Sequence, residues 1–297
     1  MSSSGLEERP QVREERVALR AGPDRRTLAA HVWLGDRAQE RSVVFAGGIG
    51  APQRYLRALA GGLARRGWGV MTFDYRGVGE SHETADYLSI LADDWAHGDL
   101  PAAVEGLRAL SGARRLVVFA HSVGGQLFGM SPATAQVDGA LLVGAQRGIP
   151  RLFRGAARAR VEYAYRVFPL LARVFGRIPH GRFTFPEPCP PRAVVQWIAW
   201  GRMGVFTDAQ GIDVEERFAR FEGPLVCAHV EDDLGFAPPA AVDALAALYT
   251  RARLTRVAIA PRDYGVDRLG HFGLFSPRAP RRLWDRIDGW LRTVADP

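Results

Sequence analysis

Short apolar runs alternate with segments of helical periodicity along most of this chain. Runs such as RSVVFA, WGVMTF, RLVVFA and GALLV are almost continuously hydrophobic, whereas the segments between them repeat apolar residues every three to four positions. A strand that is apolar on both faces is typical of a parallel sheet covered on two sides. The pattern therefore predicts an α/β protein with a mostly parallel β-sheet flanked by helices.

One interruption of this alternation predicts an inserted segment. Residues 147–222 contain no clear strand, and an unbroken connection of that length is uncommon inside a compact domain. We interpret residues 147–222 as a helical cap inserted between two parts of one core, residues 16–146 and 223–297. Residues 1–15 are polar and charged, which predicts a disordered tail.

The charge and the cysteine content narrow the class of function. The net charge is +7, every cation is arginine, and no nucleic-acid motif occurs, so we do not expect nucleic-acid binding. Cys189 and Cys227 are too few for a disulfide framework and lack metal-ligand spacing. Free thiols suit a reducing compartment. No secretory signal and no run near the ~20 apolar residues that span a bilayer is present, so we expect a cytoplasmic protein.

The stretch VVFAHSVGGQ places a serine where an apolar run stops and a helical segment starts. A strand, a sharp turn that carries serine and then a helix is the context of a nucleophile elbow, in which the positions two before and two after the serine are small. Around Ser122 these positions are Ala120 and Gly124. A serine that only caps a helix would fit the same turn, so the interpretation depends on partners elsewhere in the chain.

Two of these partners are an oxyanion loop and a base. The glycines of FAGGIG allow a backbone to approach closely, so the N–H of Ile49, together with that of Val123 after the nucleophile, is expected to bind an oxyanion. His271, in RLGHFGLF, is flanked by glycines between the last predicted strand and the last helix. Its position completes the chain order serine, acid, histidine, which favours a catalytic base.

The third partner is a carboxylate that orients the histidine. HVEDDLGFAPP offers Asp232 and Asp233 at the end of a late apolar run. We favour Asp233, because the loop must leave the sheet before Pro238, and keep Asp232 as the alternative acid.

With these residues the chain resembles the α/β-hydrolase superfamily, in particular its serine aminopeptidase and monoacylglycerol-lipase-like branch and the bacterial predicted hydrolases within it. The resemblance is carried by GGIGAPQRYLRALAGGLARRGWGVMTFDYRGVGES, AHSVGGQ, EDDLGFAPPAAVDAL and RLGHFGLF. It implies the α/β-hydrolase fold and a serine hydrolase that cleaves an ester, thioester or amide of a small, largely apolar acyl substrate, with no cofactor and no metal. It also implies that Asp74 and Arg76 belong to a structural loop.

Two other functions are compatible with the same residues. An acyltransferase would use the same acyl-enzyme and pass the acyl group to an alcohol or amine. A non-hydrolytic pathway enzyme or a scaffold would use the pocket alone, since a fold and a motif do not determine function.

The cap segment is rich in arginine and aromatic residues. Nine arginines lie between Arg147 and Arg182, against the single acid Glu162. Helical spacing predicts one basic face formed by Arg147, Arg151, Arg154 and Arg158. Pro169 predicts the end of one helix and the start of another. A basic amphipathic helix can lie on an anionic membrane surface, but a solvated arginine face is more usual and is the one we expect.

The later part of the cap predicts the substrate pocket. Trp197, Trp200, Met203 and Phe206 are spaced along one predicted helix and its end. We expect these side chains to line an apolar pocket for a small-molecule acyl substrate.

Overall fold

Eight strands form one sheet in the order β1-β2-β4-β3-β5-β6-β7-β8 in the computed structural model, which describes residues 12–82, 86–181 and 185–296. The strands are β1 (Arg13–Ala21), β2 (Arg26–Leu34), β3 (Arg41–Ala46), β4 (Gly69–Phe73), β5 (Arg115–His121), β6 (Gly139–Val143), β7 (Pro224–Val230) and β8 (Arg253–Ile259). β2 pairs antiparallel with β1 and with β4, and all later pairings are parallel. The predicted α/β class with a mostly parallel sheet is confirmed.

Helices cover both faces of this sheet. They are α1 (Arg57–Ala64), α2 (Ala92–Asp94), α3 (Leu100–Ser111), α4 (Val123–Met130), α5 (Gly155–Phe175), α6 (Pro191–Met203), α7 (Pro239–Ala246) and α8 (Arg281–Ala295). Buried residues of α1 and α8 belong to the hydrophobic cluster on one face, and those of α3 and α4 to the cluster on the other. In α8 the buried Leu283, Ile287 and Leu291 recur every fourth position, so one stripe of the helix faces the sheet.

The first strand starts earlier than the sequence predicts. β1 begins at Arg13, so the predicted tail of residues 1–15 is too long at its end. Glu14 is held within the strand, because its carboxylate lies 3.1 Å from His31 Nδ1 and 2.9 Å from Arg57 Nη2. The ladder to β2 and these contacts outweigh the local polarity of the segment. Residues 1–11 of the predicted tail lie outside the described residues.

In the described chain between β6 and β7, residues form helices and short helical turns, and none joins the sheet. α5 continues through Pro169, so the prediction that this proline separates two helices is wrong. Phe168 is buried beside it and packs against Phe185, with ring centroids 5.9 Å apart, which offsets the cost of an interior proline. The helix ends at Gly176, whose φ of 62° is left-handed.

The predicted basic helix face is also wrong. Arg147 precedes the helices, and its guanidinium binds the carboxylate of Glu215 and lies over the ring of Phe206. Arg151 belongs to a separate helical turn, and α5 starts only after Arg154. Only Arg158 of the four lies within α5, where its guanidinium donates to Glu162 at 2.8 Å. The last of the nine predicted arginines, Arg182, lies outside the described residues.

The start of α4 nearly touches the end of β3. A Cβ atom on Gly124 would lie 2.2 Å from the carbonyl oxygen of Ala46 and 2.9 Å from that of Gly47. No side chain fits at that separation, so glycine is required where the helix leaves β5. This contact sets how sharply the chain turns after β5.

We expect Gly124→Ala to lower the free energy of unfolding by about 3 kcal/mol, because the added methyl group would push α4 away from β3. Gly289→Ala is the matched control. Gly289 lies within α8 with nothing within 4 Å of a built Cβ, so the same change should raise stability by about 0.5–1 kcal/mol. Urea unfolding of both variants measures the difference, and equal stabilities would refute the close contact.

Candidate active site

Ser122 occupies the turn between β5 and α4 in a strained backbone conformation. Its φ of 55° and ψ of −123° lie where side-chain-bearing residues are rare. Its N–H donates to the carbonyl of Val143 at 3.1 Å, which ties the turn to the end of β6. Ser122 therefore sits at the carboxyl edge of the parallel strands, where α/β proteins build their sites.

His271 and Asp233 are joined by a short polar contact beside Ser122. Their atoms His271 Nδ1 and Asp233 Oδ2 lie 2.5 Å apart, and both side chains are buried. Asp233 follows β7 and His271 follows β8, so two neighbouring strands deliver the pair. The other carboxylate oxygen of Asp233 accepts the N–H of Phe236 at 3.3 Å, which orients the carboxylate.

Asp232, the alternative acid, points to a different partner. Its two carboxylate oxygens accept the backbone N–H groups of Leu269 and Gly270 at 3.0 and 2.9 Å. Asp232 thus holds the backbone of the loop that carries His271, while Asp233 contacts the imidazole. The structure brings together Asp233 and His271.

The glycine loop after β3 lies directly over the serine. A Cβ on Gly48 would be 3.2 Å from the Cβ of Ser122 and 3.6 Å from its Oγ. The backbone N–H groups of Ile49 and Val123 have no hydrogen-bond acceptor among the described residues. Both are therefore available to an atom bound beside Ser122.

One cavity of about 350 Å³ opens beside Ser122. Its walls come from the core and from the cap segment. The core contributes Gly48, Ile49, Gln146, Phe236, His271 and Phe272. The cap contributes Phe153, Arg160, Phe168, Phe185, Trp197 and several neighbouring residues. No hydrogen bond joins Ser122 Oγ to His271 across the described part of the cavity, and such contacts often tighten only with substrate bound.

Of the four predicted pocket residues, Trp197 lines this cavity and the other three do not. Trp200 is buried inside the cap, where its Nε1 donates to the carbonyl of Thr207 at 2.9 Å and its ring packs on Phe206. Met203 is 56% exposed. The prediction for Trp200, Met203 and Phe206 is wrong, because tertiary contacts bury Trp200 and Phe206 against each other inside the cap and leave Met203 on the surface.

Three further residues line the cavity although the sequence did not single them out: Gln146, Arg160 and Phe236. Gln146 comes three residues after β6, so the strand-end rule that singled out Ser122 could also have found it. Arg160 and Phe236 carry no such signal. They meet only in the folded chain, where the Arg160 guanidinium lies 4.9 Å from the centroid of Phe236 and that ring stacks on His271 at 5.1 Å.

His121, at the end of β5, contacts the loop that carries His271. Its Nε2 lies 2.9 Å from the carbonyl oxygen of His271, so the ring holds the loop that carries His271. Burial, with a smaller contribution from His271, lowers the pKa of His121 well below its usual range. A neutral ring that donates from Nε2 has an acceptor at Nδ1, which has no partner among the described residues.

The sheet, the serine turn and the late histidine together define an α/β-hydrolase enzyme. The family model for serine aminopeptidase, S33, matches residues 37–185, which is half of the chain. The chain belongs to this family. No curated protein matches it in sequence.

Solved structures of hydrolases share this fold. Monoglyceride lipase from Saccharomyces cerevisiae is 15% identical with a TM-score of 0.67, and 98% of each chain is covered. An esterase from Pyrococcus furiosus is 14% identical with a TM-score of 0.61, over 96% of this chain and 92% of that chain. A thermophilic esterase from Thermogutta terrifontis is 16% identical with a TM-score of 0.60, over 95% and 99%. Among the described residues, no helix has the length and hydropathy needed to cross a bilayer.

We expect His121 to make the folded state less stable in acid. The unfolded chain binds a proton at this histidine as pH falls below about 6.5, whereas the folded chain does not, because burial depresses the pKa of the ring. The free energy of unfolding should therefore fall with pH below 6.5, by up to about 1.4 kcal/mol per pH unit from this group.

His121→Gln retains a hydrogen-bond donor. It should remove the contribution of His121 to the slope of the free energy of unfolding against pH, measured by urea unfolding between pH 7 and 5. Burial raises the pKa of Asp99 to about 6 and acts with the opposite sign over the same range, so the measured quantity is the difference between the wild type and the variant. Identical slopes would show that His121 has the same pKa in the folded and unfolded states.

Proposed function

We propose that this enzyme hydrolyses esters of small, largely apolar acyl groups through a covalent acyl-enzyme on Ser122. The observation that carries the proposal is the 2.5 Å contact between Asp233 and His271 at the cavity that also contains Ser122. A nucleophile, a base and an orienting acid, here after β5, β8 and β7, are the groups that acyl transfer requires. Thioesters and amides undergo the same steps and belong to the same proposal.

In the first half of the reaction, the acyl group moves to the serine. Ser122 Oγ forms a bond to the acyl carbon while its proton passes to Nε2 of His271. The bond from that carbon to the leaving oxygen then breaks, and the Nε2 proton leaves with the alcohol. Asp233 accepts a hydrogen bond from Nδ1–H throughout, which fixes the tautomer with a free Nε2 and stabilises the imidazolium.

In the second half, water releases the acid. A water molecule gives a proton to His271 Nε2 and its oxygen bonds to the acyl carbon. The bond to Ser122 Oγ breaks, and the proton returns to Oγ. In both halves the carbonyl oxygen gains negative charge, and the N–H groups of Ile49 and Val123 are proposed to donate to it. The close approach of Gly48 to Ser122 supports that role.

The chemistry of the cavity supports an apolar acyl group. The cap wall includes the aromatic side chains of Phe153, Phe168, Phe185 and Trp197. A volume of about 350 Å³ is at the lower end of the range for small-molecule sites. We also propose a cytoplasmic location, which the free, buried Cys189 and Cys227 support.

A fluorophosphonate should label Ser122 alone, because an activated serine beside an imidazole attacks phosphorus as it attacks an acyl carbon. Ser122→Ala should abolish labelling and leave the circular dichroism spectrum unchanged. Ser89→Ala, at an exposed serine, is the control that should keep full labelling. Intact-mass spectrometry before and after incubation measures both, and a labelled Ser122→Ala protein would remove Ser122 from the mechanism.

Asp233→Asn should lower kcat for p-nitrophenyl butanoate by several orders of magnitude, about 10⁴-fold in a serine protease triad. The amide would favour the wrong tautomer of His271. Asp232→Asn is the matched control at the neighbouring carboxylate. The asparagine side chain keeps one oxygen that can accept from the backbone N–H groups of the His271 loop. We therefore expect kcat to fall by less than about tenfold. The opposite ranking would assign the acid to Asp232.

A further inference from the structure

Gln146 is a buried polar side chain in the wall of an otherwise apolar cavity. It is 5% exposed and lies beside the same cavity as Ser122 and His271. Its Oε1 is buried with no hydrogen-bond partner, and its side chain makes no hydrogen bond to any described residue. Buried carboxamides are normally paired, so an unpaired one at a substrate cavity requires an explanation.

The other polar groups of the cavity wall already have a partner or face solvent. Tyr165 donates its hydroxyl to the carbonyl of Gly148 at 2.7 Å. Arg160 donates to the carbonyl of Gly235 and lies over Phe236. Tyr163 is 63% exposed. Gln146 is the side chain of the described wall that has a buried polar atom without a hydrogen-bond partner, whereas Trp197 offers only an N–H donor.

The backbone around Gln146 is held on both sides. Gln126, one turn after Ser122 on α4, donates its Nε2 to the carbonyl of Gln146 at 2.5 Å. Gly144 donates to Ala228 at 2.9 Å, and Arg147 donates to the carbonyl of Ala241 at 2.9 Å. These bonds fix the backbone from which the Gln146 side chain projects beside the cavity, which supports a preorganised recognition group.

We propose that Gln146 recognises a hydroxyl group of the ester substrate. A carboxamide can donate and accept, and so can a hydroxyl, so the two groups satisfy one another whichever way the amide is turned. A buried group that pairs with the correct substrate is left unpaired by an analogue that lacks the hydroxyl, and such sites discriminate strongly. This inference rests on the proposed ester hydrolysis and names the substrate class: esters with a hydroxyl close to the scissile bond.

The hydroxyl could be carried by the acyl chain or by the alcohol, and two ester pairs distinguish these sources. The acyl pair is p-nitrophenyl 3-hydroxybutanoate and p-nitrophenyl 3-methylbutanoate. The alcohol pair is 2-hydroxyethyl butanoate and propyl butanoate. Within each pair a hydroxyl replaces a methyl group of similar size, so the ratio of the two kcat/KM values reports hydroxyl recognition and cancels changes in the triad.

The wild type should prefer the hydroxylated member of one pair by about 10- to 100-fold. Gln146→Leu should bring that ratio to about one, mainly through a lower kcat/KM for the hydroxylated ester. Gln136→Leu, the same substitution at a side chain that bonds only Glu105 on the surface, should leave the ratio unchanged. Gln146→Met, which is unbranched like glutamine, gives the same measurement if the leucine variant does not fold.

A wild-type ratio near one in both pairs, or a ratio that Gln146→Leu leaves unchanged, would overturn the inference. In that case hydrolysis of the plain esters and fluorophosphonate labelling of Ser122 would still support the proposed function. Loss of labelling together with no hydrolysis of any of the four esters would instead refute the proposed function, and this inference with it.

Discussion

The absence of a side chain at Gly124 is the constraint on which this site depends. A Cβ there would lie 2.2 Å from a carbonyl oxygen of β3, so α4 can begin where it does only with glycine. That contact makes the turn sharp, and the sharp turn puts Ser122 at a φ of 55° above the strand ends. The same approach brings the loop of Gly48 over Ser122. The position of Ser122, its strained backbone and the close approach of the Gly48 loop therefore depend on one steric contact between a helix and a strand.

The parallel strands then assemble the remaining groups without further special geometry. Asp233 and His271 follow β7 and β8, which are neighbours in the sheet, so their loops meet at the same edge. The two adjacent aspartates have different partners. Asp232 binds the backbone of the histidine loop, and Asp233 binds the imidazole. His121 adds a second tie to that loop from β5. His271 is thus held through its ring and through its backbone by separate elements.

Much of this arrangement could be predicted from the sequence because it depends on short-range patterns. Apolar runs predict buried strands, and small residues around Ser122 predict a sharp turn. The cap could not be predicted in the same way. Pro169 usually ends a helix, yet packing of Phe168 carries α5 past it. Aromatic residues at helical spacing do not reveal which one faces a cavity, and the choice among Trp197, Trp200 and Phe206 is made by tertiary contacts alone.

One contact between the cap and the core limits how a substrate can reach the serine. Glu187 donates its N–H to the carbonyl of Gly50 at 3.1 Å, and Gly50 follows Ile49 directly. A Cβ on Gly50 would also lie 2.9 Å from Cys189 Sγ and from the Cβ of Phe185. Lifting this part of the cap would break that bond and loosen the loop that carries Ile49. A substrate path that required this part of the cap to lift would therefore also disturb the loop beside Ser122.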